Sequence, residues 1–133
     1  MTTPPPPPTG SVGWLDLTVP NAPAIRDFYA RVVGWTVTPL SMGDYDDFVM
    51  NAPGTGAPTA GICHAQGKNV GVPTAWLMYI TVADLDASLV ECAAAGGRLI
   101  AEPRSAGGTA RFAVIEDPSG AAVALYESGE GRS

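Results

Sequence analysis

Apolar and polar residues first alternate in Gly13–Val19, as they do along a strand with one buried face. Helical spacing follows in Ala22–Val33, where apolar residues recur three or four positions apart. Asn21 stands where a helix N-cap is expected, and Gly34 is typical of a left-handed helix end. The pattern therefore predicts a strand, a helix over Ala22–Val33, and a further strand beginning at Trp35.

The same order of elements returns in the second half of the chain. Placing Thr81 on Thr18 aligns Trp76–Pro103 with the earlier stretch without a gap, and a repeat preserves element order. Asp84 is the expected N-cap of a second helix over Leu85–Ala95. Identical residues in this alignment are Thr18/Thr81, Val19/Val82, Ala24/Ala87, Ala30/Ala93 and Gly34/Gly97.

Short apolar segments complete two modules, at about residues 11–65 and 74–128, each of the form βαβββ. The remaining strands are predicted at Phe48–Asn51, Thr59–Ala65, Arg98–Ala101, Arg111–Ile115 and Ala121–Tyr126. Neither module can bury both its helix and its sheet alone. We therefore expect an α+β fold in which the paired βαβββ modules form one curved mixed sheet with a concave pocket.

Residues 11–128 are predicted to form a single domain between two disordered tails. The first tail, residues 1–10, contains the proline block Pro4–Pro8, which favours a solvated polyproline conformation. The second tail is residues 129–133.

The composition and net charge of the chain exclude some classes of binding partner. The chain of 133 residues has a net charge of −6, and nucleic acids and anionic membranes require clustered Lys and Arg instead. No apolar run reaches membrane length. Cys63 and Cys92 show no motif spacing, which favours reduced thiols in a soluble cytoplasmic protein.

The element order, the motif TVxD at Thr81–Asp84 and the motif DPxG at Asp117–Gly120 carry a family resemblance. From Ser11 to Glu127 the chain resembles the vicinal oxygen chelate superfamily of glyoxalases, bleomycin-resistance proteins and extradiol dioxygenases. The resemblance implies the paired-module fold and a homodimer. It leaves function open, because a fold hosts many activities and this one includes metal-dependent enzymes, metal-free enzymes and drug-binding proteins.

The resemblance places metal ligands at positions occupied here by Trp14, Leu77 and Ala124, with a fourth near Gly61 or Ile62. These side chains offer no lone pair to a cation. His64 and Cys63 are neighbours on a predicted strand, so they point to opposite faces and cannot share one ion. We expect no metal and no other cofactor.

Strand alternation also predicts a ligand-binding set. A four-residue loop at Asp117–Gly120 would pair Arg111 with Tyr126, and cross-strand partners share a face. For Trp14 and Tyr126 core packing is the alternative, and for Arg111 and Asp16 it is a salt bridge. The predicted ligand-binding residues are Trp14, Asp16, Leu77, Tyr79, Arg111, Ala124, Tyr126 and His64.

Aromatic walls around small alanines suit a flat small molecule, and a guanidinium suits a planar anion. We expect a partly aromatic ligand with an anionic group held by Arg111. The predicted function is metal-free binding that sequesters this ligand. The alternatives are a metal-independent isomerase, lyase or cyclase using Asp16, Tyr79 or His64 as acid or base, and an accessory protein without a ligand.

Overall fold

The computed structural model of the chain describes residues 7–129, so most of the two predicted tails lies outside the described residues. The described residues form two compact units. The first unit contains residues 14–77, and the second contains the described residues up to Gly13 and from Met78 onward. At the start of the second unit, the Gly10 N–H donates to the Thr81 carbonyl at 2.7 Å.

The predicted order of elements is confirmed in both modules, and so is the α+β class. A short 3-10 helix, Gly67–Asn69, lies between the modules. The elements are β1 (Val12–Val19), α1 (Ala22–Val33), β2 (Thr36–Ser41), β3 (Asp46–Asn51), β4 (Pro58–His64), β5 (Trp76–Thr81), α2 (Leu85–Ala94), β6 (Arg98–Ser105), β7 (Arg111–Glu116) and β8 (Ala122–Glu127).

In the first unit the strands follow the order β2-β3-β4-β1, with β1 and β4 parallel and the other pairs antiparallel. Helix α1 covers one face of this sheet, and Gly34 ends the helix with a φ of 79°, as predicted. The Trp76 indole donates to the Tyr29 hydroxyl at 3.0 Å, which ties the start of β5 to α1. Buried residues of this core are Leu17, Val19, Ala22, Phe48, Met50 and Ile62.

In the second unit the order is β5-β8-β7-β6, with β5 and β8 parallel. Helix α2 covers one face, and its buried core is Leu85, Ala113, Ile115 and Leu125. Strand β6 runs four residues further than predicted, to Ser105, and its register against β7 shifts twice. Each shift is an irregularity of the bulge type, which alternation along one strand cannot reveal.

The predicted register of the β7–β8 hairpin is wrong by one residue. Arg111 lies opposite Glu127, and Phe112 lies opposite Tyr126. The cause is the Asp117 carboxylate, which accepts the Ser119 hydroxyl at 2.5 Å and the backbone N–H groups of Ser119 and Ala121 at 2.8 and 3.1 Å. These bonds hold Ala121 inside the loop and hold the pKa of Asp117 below its ordinary value.

Two carboxylates accept backbone N–H groups at the start of helix α2. The predicted N-cap Asp84 accepts the Ala87 N–H at 3.1 Å. Glu127, at the end of β8, is 1% exposed and accepts the Leu85 N–H at 2.8 Å. The Arg111 Nε atom lies 3.6 Å from the Glu127 carboxylate, so the buried charge is compensated by a cation and by the helix N-terminus.

No helix among residues 7–129 is both long enough and apolar enough to cross a membrane.

The Glu127→Gln substitution should lower the free energy of unfolding by about 1.5–3 kcal/mol, because it removes the charge from a buried, charge-assisted hydrogen bond. Urea denaturation followed by circular dichroism measures the change. Glu116→Gln is the matched control, since Glu116 pairs with the exposed Arg98 and the substitution should cost less than about 1 kcal/mol. Equal losses in the two variants would contradict this role of Glu127.

Candidate functional site

Most of the candidate site residues lie on the sheet face opposite to each unit's own helix, which we call the helix-distal face. In the first unit, strand alternation and the observed registers place a set of β1, β3 and β4 residues on this face. They are Trp14, Asp16, Thr18, Asp47, Val49, Gly61 and Cys63.

Asp16 is the central acid of the first unit's helix-distal face. Its carboxylate accepts the Trp14 indole N–H at 2.6 Å, and the two residues share this face, as strand alternation predicts. Gly61 lies opposite Asp16 on β4, and a Cβ atom there would collide with the Asp16 carboxylate. The glycine therefore lets a half-buried carboxylate lie flat across the neighbouring strand.

Cys63 completes a polar cluster with two carboxylates. Burial, followed by the charges of Asp16 and Asp47, raises the pKa of the Cys63 thiol well above its usual range. The thiol is thus a proton donor to Asp47 and a poor nucleophile. Asp47 is 4% exposed and also accepts the His64 backbone N–H at 2.8 Å.

Asp47 lies just outside the strand that the sequence predicts at Phe48–Asn51, so its burial was not predicted. Strand β3 begins two residues earlier than predicted, at Asp46, and Asp47 therefore points to the same side as Val49 and Asn51. The sequence does indicate the orientation of Asp47. Phe48 and Met50 share the face that packs on α1, so continuing the alternation back by one residue places Asp47 on the helix-distal face.

The His64 side chain lies away from this cluster. It pairs with Val19, on the side of the first unit that faces α1, and its ring packs edge-on against Tyr45 at 5.0 Å. The ring also lies 6.2 Å from Phe48. The structure confirms that His64 and Cys63 point to opposite faces, but it does not bring His64 to Trp14 or Asp16.

The second unit's helix-distal face is aromatic. Tyr79 lies beside Ala124, and Thr81 lies beside Tyr126, in the parallel pairing of β5 with β8. The rings of Tyr79 and Phe112 have centroids 5.5 Å apart at an angle of 39°. Members of this face are Tyr79, Thr81, Arg104, Phe112, Val114, Ala124 and Tyr126.

Placing Arg111 on the same face as Tyr126 was wrong, because the hairpin register is shifted by one residue. Arg111 points to the α2 side, where its Nη2 atom lies 3.0 Å from Asp86 and its Nε atom faces Glu127. The hydrogen bond to Asp86 raises the pKa of Arg111 further. Phe112 and Arg104 lie on the helix-distal face instead. They were not predicted there, because the predicted β7–β8 register was shifted by one residue and the predicted β6 ended at Ala101.

The positions that the resemblance assigns to metal ligands do not fit a metal ion. Trp14 offers only an indole N–H, which is donated to Asp16, and Leu77 and Ala124 offer no donor atom. Leu77 is 2% exposed and serves as core. Among residues 7–129, no three His, Cys, Asp or Glu side chains are grouped closely enough to hold a cation.

Comparison with protein families gives a match over residues 11–125 to the sequence profile described as Glyoxalase/Bleomycin resistance protein/Dioxygenase superfamily. A similar curated protein is the anthracycline biosynthesis protein DauV of Streptomyces sp. (strain C5), 33% identical over 135 residues. That alignment covers 90% of this chain and 48% of DauV. The chain thus spans about half the length of the curated relatives it matches.

Solved structures agree on the fold. A variant of Streptomyces coelicolor methylmalonyl-CoA epimerase bound to 2-nitronate-propionyl-CoA superposes with a TM-score of 0.60 at 16% identity, over 95% of this chain and 99% of that one. A superfamily member from Vibrio splendidus 12B01 gives a TM-score of 0.59 at 16% identity, over 90% of this chain and all of its own.

The Gly61→Ala substitution should destabilise the first unit by about 1–3 kcal/mol, because the new methyl group overlaps the Asp16 carboxylate. Thermal unfolding measures the loss. Gly54→Ala is the matched control, since a Cβ atom there meets nothing within 4 Å. Adding Asp16→Ala to Gly61→Ala should recover part of the loss, and a purely additive double variant would contradict the overlap.

Proposed function

Since the chain belongs to the Glyoxalase/Bleomycin resistance protein/Dioxygenase superfamily, we propose that it binds a small, partly aromatic molecule without a metal ion. Binding sequesters the molecule. The helix-distal face of the second unit is the proposed contact surface.

The observation that carries the proposal is a pair of aromatic rings, Tyr79 and Phe112, next to the small buried side chain of Ala124. Tyr79 and Phe112 are half-buried and lie 5.5 Å apart, while Ala124 beside Tyr79 is fully buried. Aromatic side chains prefer offset or edge contacts with other rings, and an alanine leaves room next to them. Such a surface favours a flat apolar ligand, and the Tyr126 hydroxyl is a polar group that would orient it.

The name of one relative points to the same chemistry. DauV is named as an anthracycline biosynthesis protein, and anthracyclines are flat polycyclic aromatic compounds. Because DauV is about twice as long as the matched region, this similarity supports a ligand class and leaves the reaction unassigned.

A second candidate function is metal-independent isomerase, lyase or cyclase chemistry, and Asp16 is the observation that favours it. Its half-buried carboxylate is oriented by the Trp14 indole at 2.6 Å and lies over a glycine. A carboxylate held in this way is a suitable general base. The neighbouring protonated Cys63 supports a proton-transfer role for the cluster.

The free thiols of Cys63 and Cys92 support a reducing location, and we propose the cytoplasm.

We also propose a homodimer formed through β2. This strand lies at the edge of the first unit's sheet, and five of its six residues are exposed. Edge strands present backbone groups that can pair with a second chain.

Light scattering should give about twice the 13.6 kDa chain mass at micromolar concentration. Leu40→Lys, which places a charge on β2, should shift the mass toward the monomer. Val90→Lys on α2 is the matched control and should leave the dimer intact. A monomer mass for the unmodified chain would refute the dimer.

The binding proposal is tested by thermal shift and titration calorimetry with flat aromatic compounds, such as anthraquinone and flavone derivatives, against saturated compounds of similar size. We expect binding of the flat compounds only. Phe112→Leu should weaken it about 2- to 10-fold, because a ring contact contributes about 0.5–1.5 kcal/mol. Phe28→Leu is the matched control, since Phe28 is exposed on α1.

Mass spectrometry of the bound compound then separates the two candidate functions. An unchanged compound supports sequestration. Conversion of a small molecule that Asp16→Asn abolishes would establish the enzyme, and absence of any flat-compound binding would refute the sequestration proposal.

A further inference from the structure

Thr81, the last residue of β5, carries a buried hydroxyl. The residue is 4% exposed, and among residues 7–129 its Oγ1 atom forms no hydrogen bond. Its backbone groups are both engaged, since the N–H donates to the Ser11 carbonyl at 2.9 Å and the carbonyl accepts the Gly10 N–H at 2.7 Å. A buried hydroxyl without a partner is unfavourable, so this side chain lowers the stability of the ligand-free protein.

The Thr81 side chain belongs to the helix-distal face of the second unit. Ile80, the residue before it, packs on the core that α2 covers, and alternation along a strand turns Thr81 to the other face. Thr81 is also the register partner of Tyr126 on β8, and cross-strand partners share a face. Tyr126 is half-buried, so a ligand that contacts its ring lies next to Thr81.

The neighbours of Thr81 on this face are mostly apolar. Ala124 is fully buried, and the rings of Tyr79 and Phe112 have centroids 5.5 Å apart. Valine has nearly the same shape as threonine and would fit such surroundings without an unsatisfied hydrogen-bonding group. A residue that costs stability where a residue of the same shape would not is typical of a functional site. A ligand therefore explains this hydroxyl better than the fold does.

The charges around this face favour a neutral ligand oxygen. Three arginines occur among the second unit's described residues, and each of them already has an interaction partner: Arg98, Arg104 and Arg111. An anion buried beside Thr81 would thus lack a free cation from this unit, and a buried charge is costly without one. A carbonyl oxygen needs only a hydrogen-bond donor, which a threonine hydroxyl supplies.

We propose that the Thr81 hydroxyl donates a hydrogen bond to a ring carbonyl of the ligand, which makes the ligand a flat aromatic ketone or quinone. The rings of the ligand contact Tyr126, and the carbonyl oxygen lies in the plane of those rings, at the edge that faces β5. This carbonyl subsite rests on the proposed aromatic-ligand function and narrows the ligand to one chemical class.

The test compares anthraquinone-2-sulfonate with anthracene-2-sulfonate, which share size, flatness and charge and differ in the two ring carbonyls. Titration calorimetry of the full chain should show the quinone binding about 2- to 10-fold more tightly, the effect of one neutral hydrogen bond. Thr81→Val should reduce the ratio of affinities to about 1 by weakening the quinone alone, and Thr81→Ser should keep the ratio.

Thr59→Val is the matched control. Thr59 is an exposed threonine on β4 of the first unit, and its hydroxyl already donates to the Ala57 carbonyl at 3.1 Å. The substitution should leave the affinities of both probes, and their ratio, unchanged. A ratio that falls equally in Thr59→Val and Thr81→Val would overturn the role of Thr81.

Urea denaturation of the ligand-free protein gives an independent readout. Thr81→Val removes an unsatisfied buried hydroxyl, so its unfolding midpoint should rise. Thr59→Val breaks an existing hydrogen bond and should not raise the midpoint. A lower midpoint for Thr81→Val would show that the hydroxyl is already satisfied without a ligand, and would overturn the proposal.

The remaining outcomes separate the carbonyl subsite from the function beneath it. Equal affinity of the two probes for the unmodified chain would overturn the subsite and leave aromatic-ligand binding intact. A quinone preference that persists in Thr81→Val would assign the carbonyl to another donor, such as the Tyr126 hydroxyl, and overturn the proposal. Failure of both probes to bind would overturn the proposed function, and the subsite with it.

Discussion

The hydrogen bonds of the Asp117 carboxylate decide which side chains share the helix-distal face of the second unit. By holding Ala121 in the loop, they set the β7–β8 register, and a shift of one residue moves every side chain of a strand to the opposite face. With this register Phe112 joins the tyrosines, and Arg111 joins the buried Glu127 under α2. One exposed turn thus determines both a structural ion pair and the composition of the candidate ligand face.

Carboxylates organise this acidic chain in ways that its net charge does not suggest. Glu127 accepts the first N–H of α2, Asp47 accepts a strand N–H and the Cys63 thiol, and Asp16 accepts an indole N–H. Each buried or half-buried acid has a donor, which makes its burial tolerable. The acids on the first unit's helix-distal face accept these hydrogen bonds, while the second unit's face is lined by aromatic rings.

The two faces therefore support different parts of the proposed function. Rings beside alanines favour binding, and the Asp16–Cys63–Asp47 cluster favours proton transfer. The superfamily contains both ligand-binding proteins and enzymes, so membership is compatible with either function. At the positions that the resemblance assigns to metal ligands, Trp14, Leu77 and Ala124 offer no lone pair to a cation.

Periodicity and the repeat were enough to predict both helices, the strand order along the chain, and the placement of Trp14, Asp16, Tyr79, Ala124 and Tyr126. These features depend on local spacing, which the sequence displays directly. The hairpin register, the bulged extension of β6 and the burial of Asp47 depend on hydrogen bonds between segments that are distant in the chain. Those contacts decided that Phe112, rather than Arg111, lies beside Tyr126, because register is a property of paired strands and no single strand carries it.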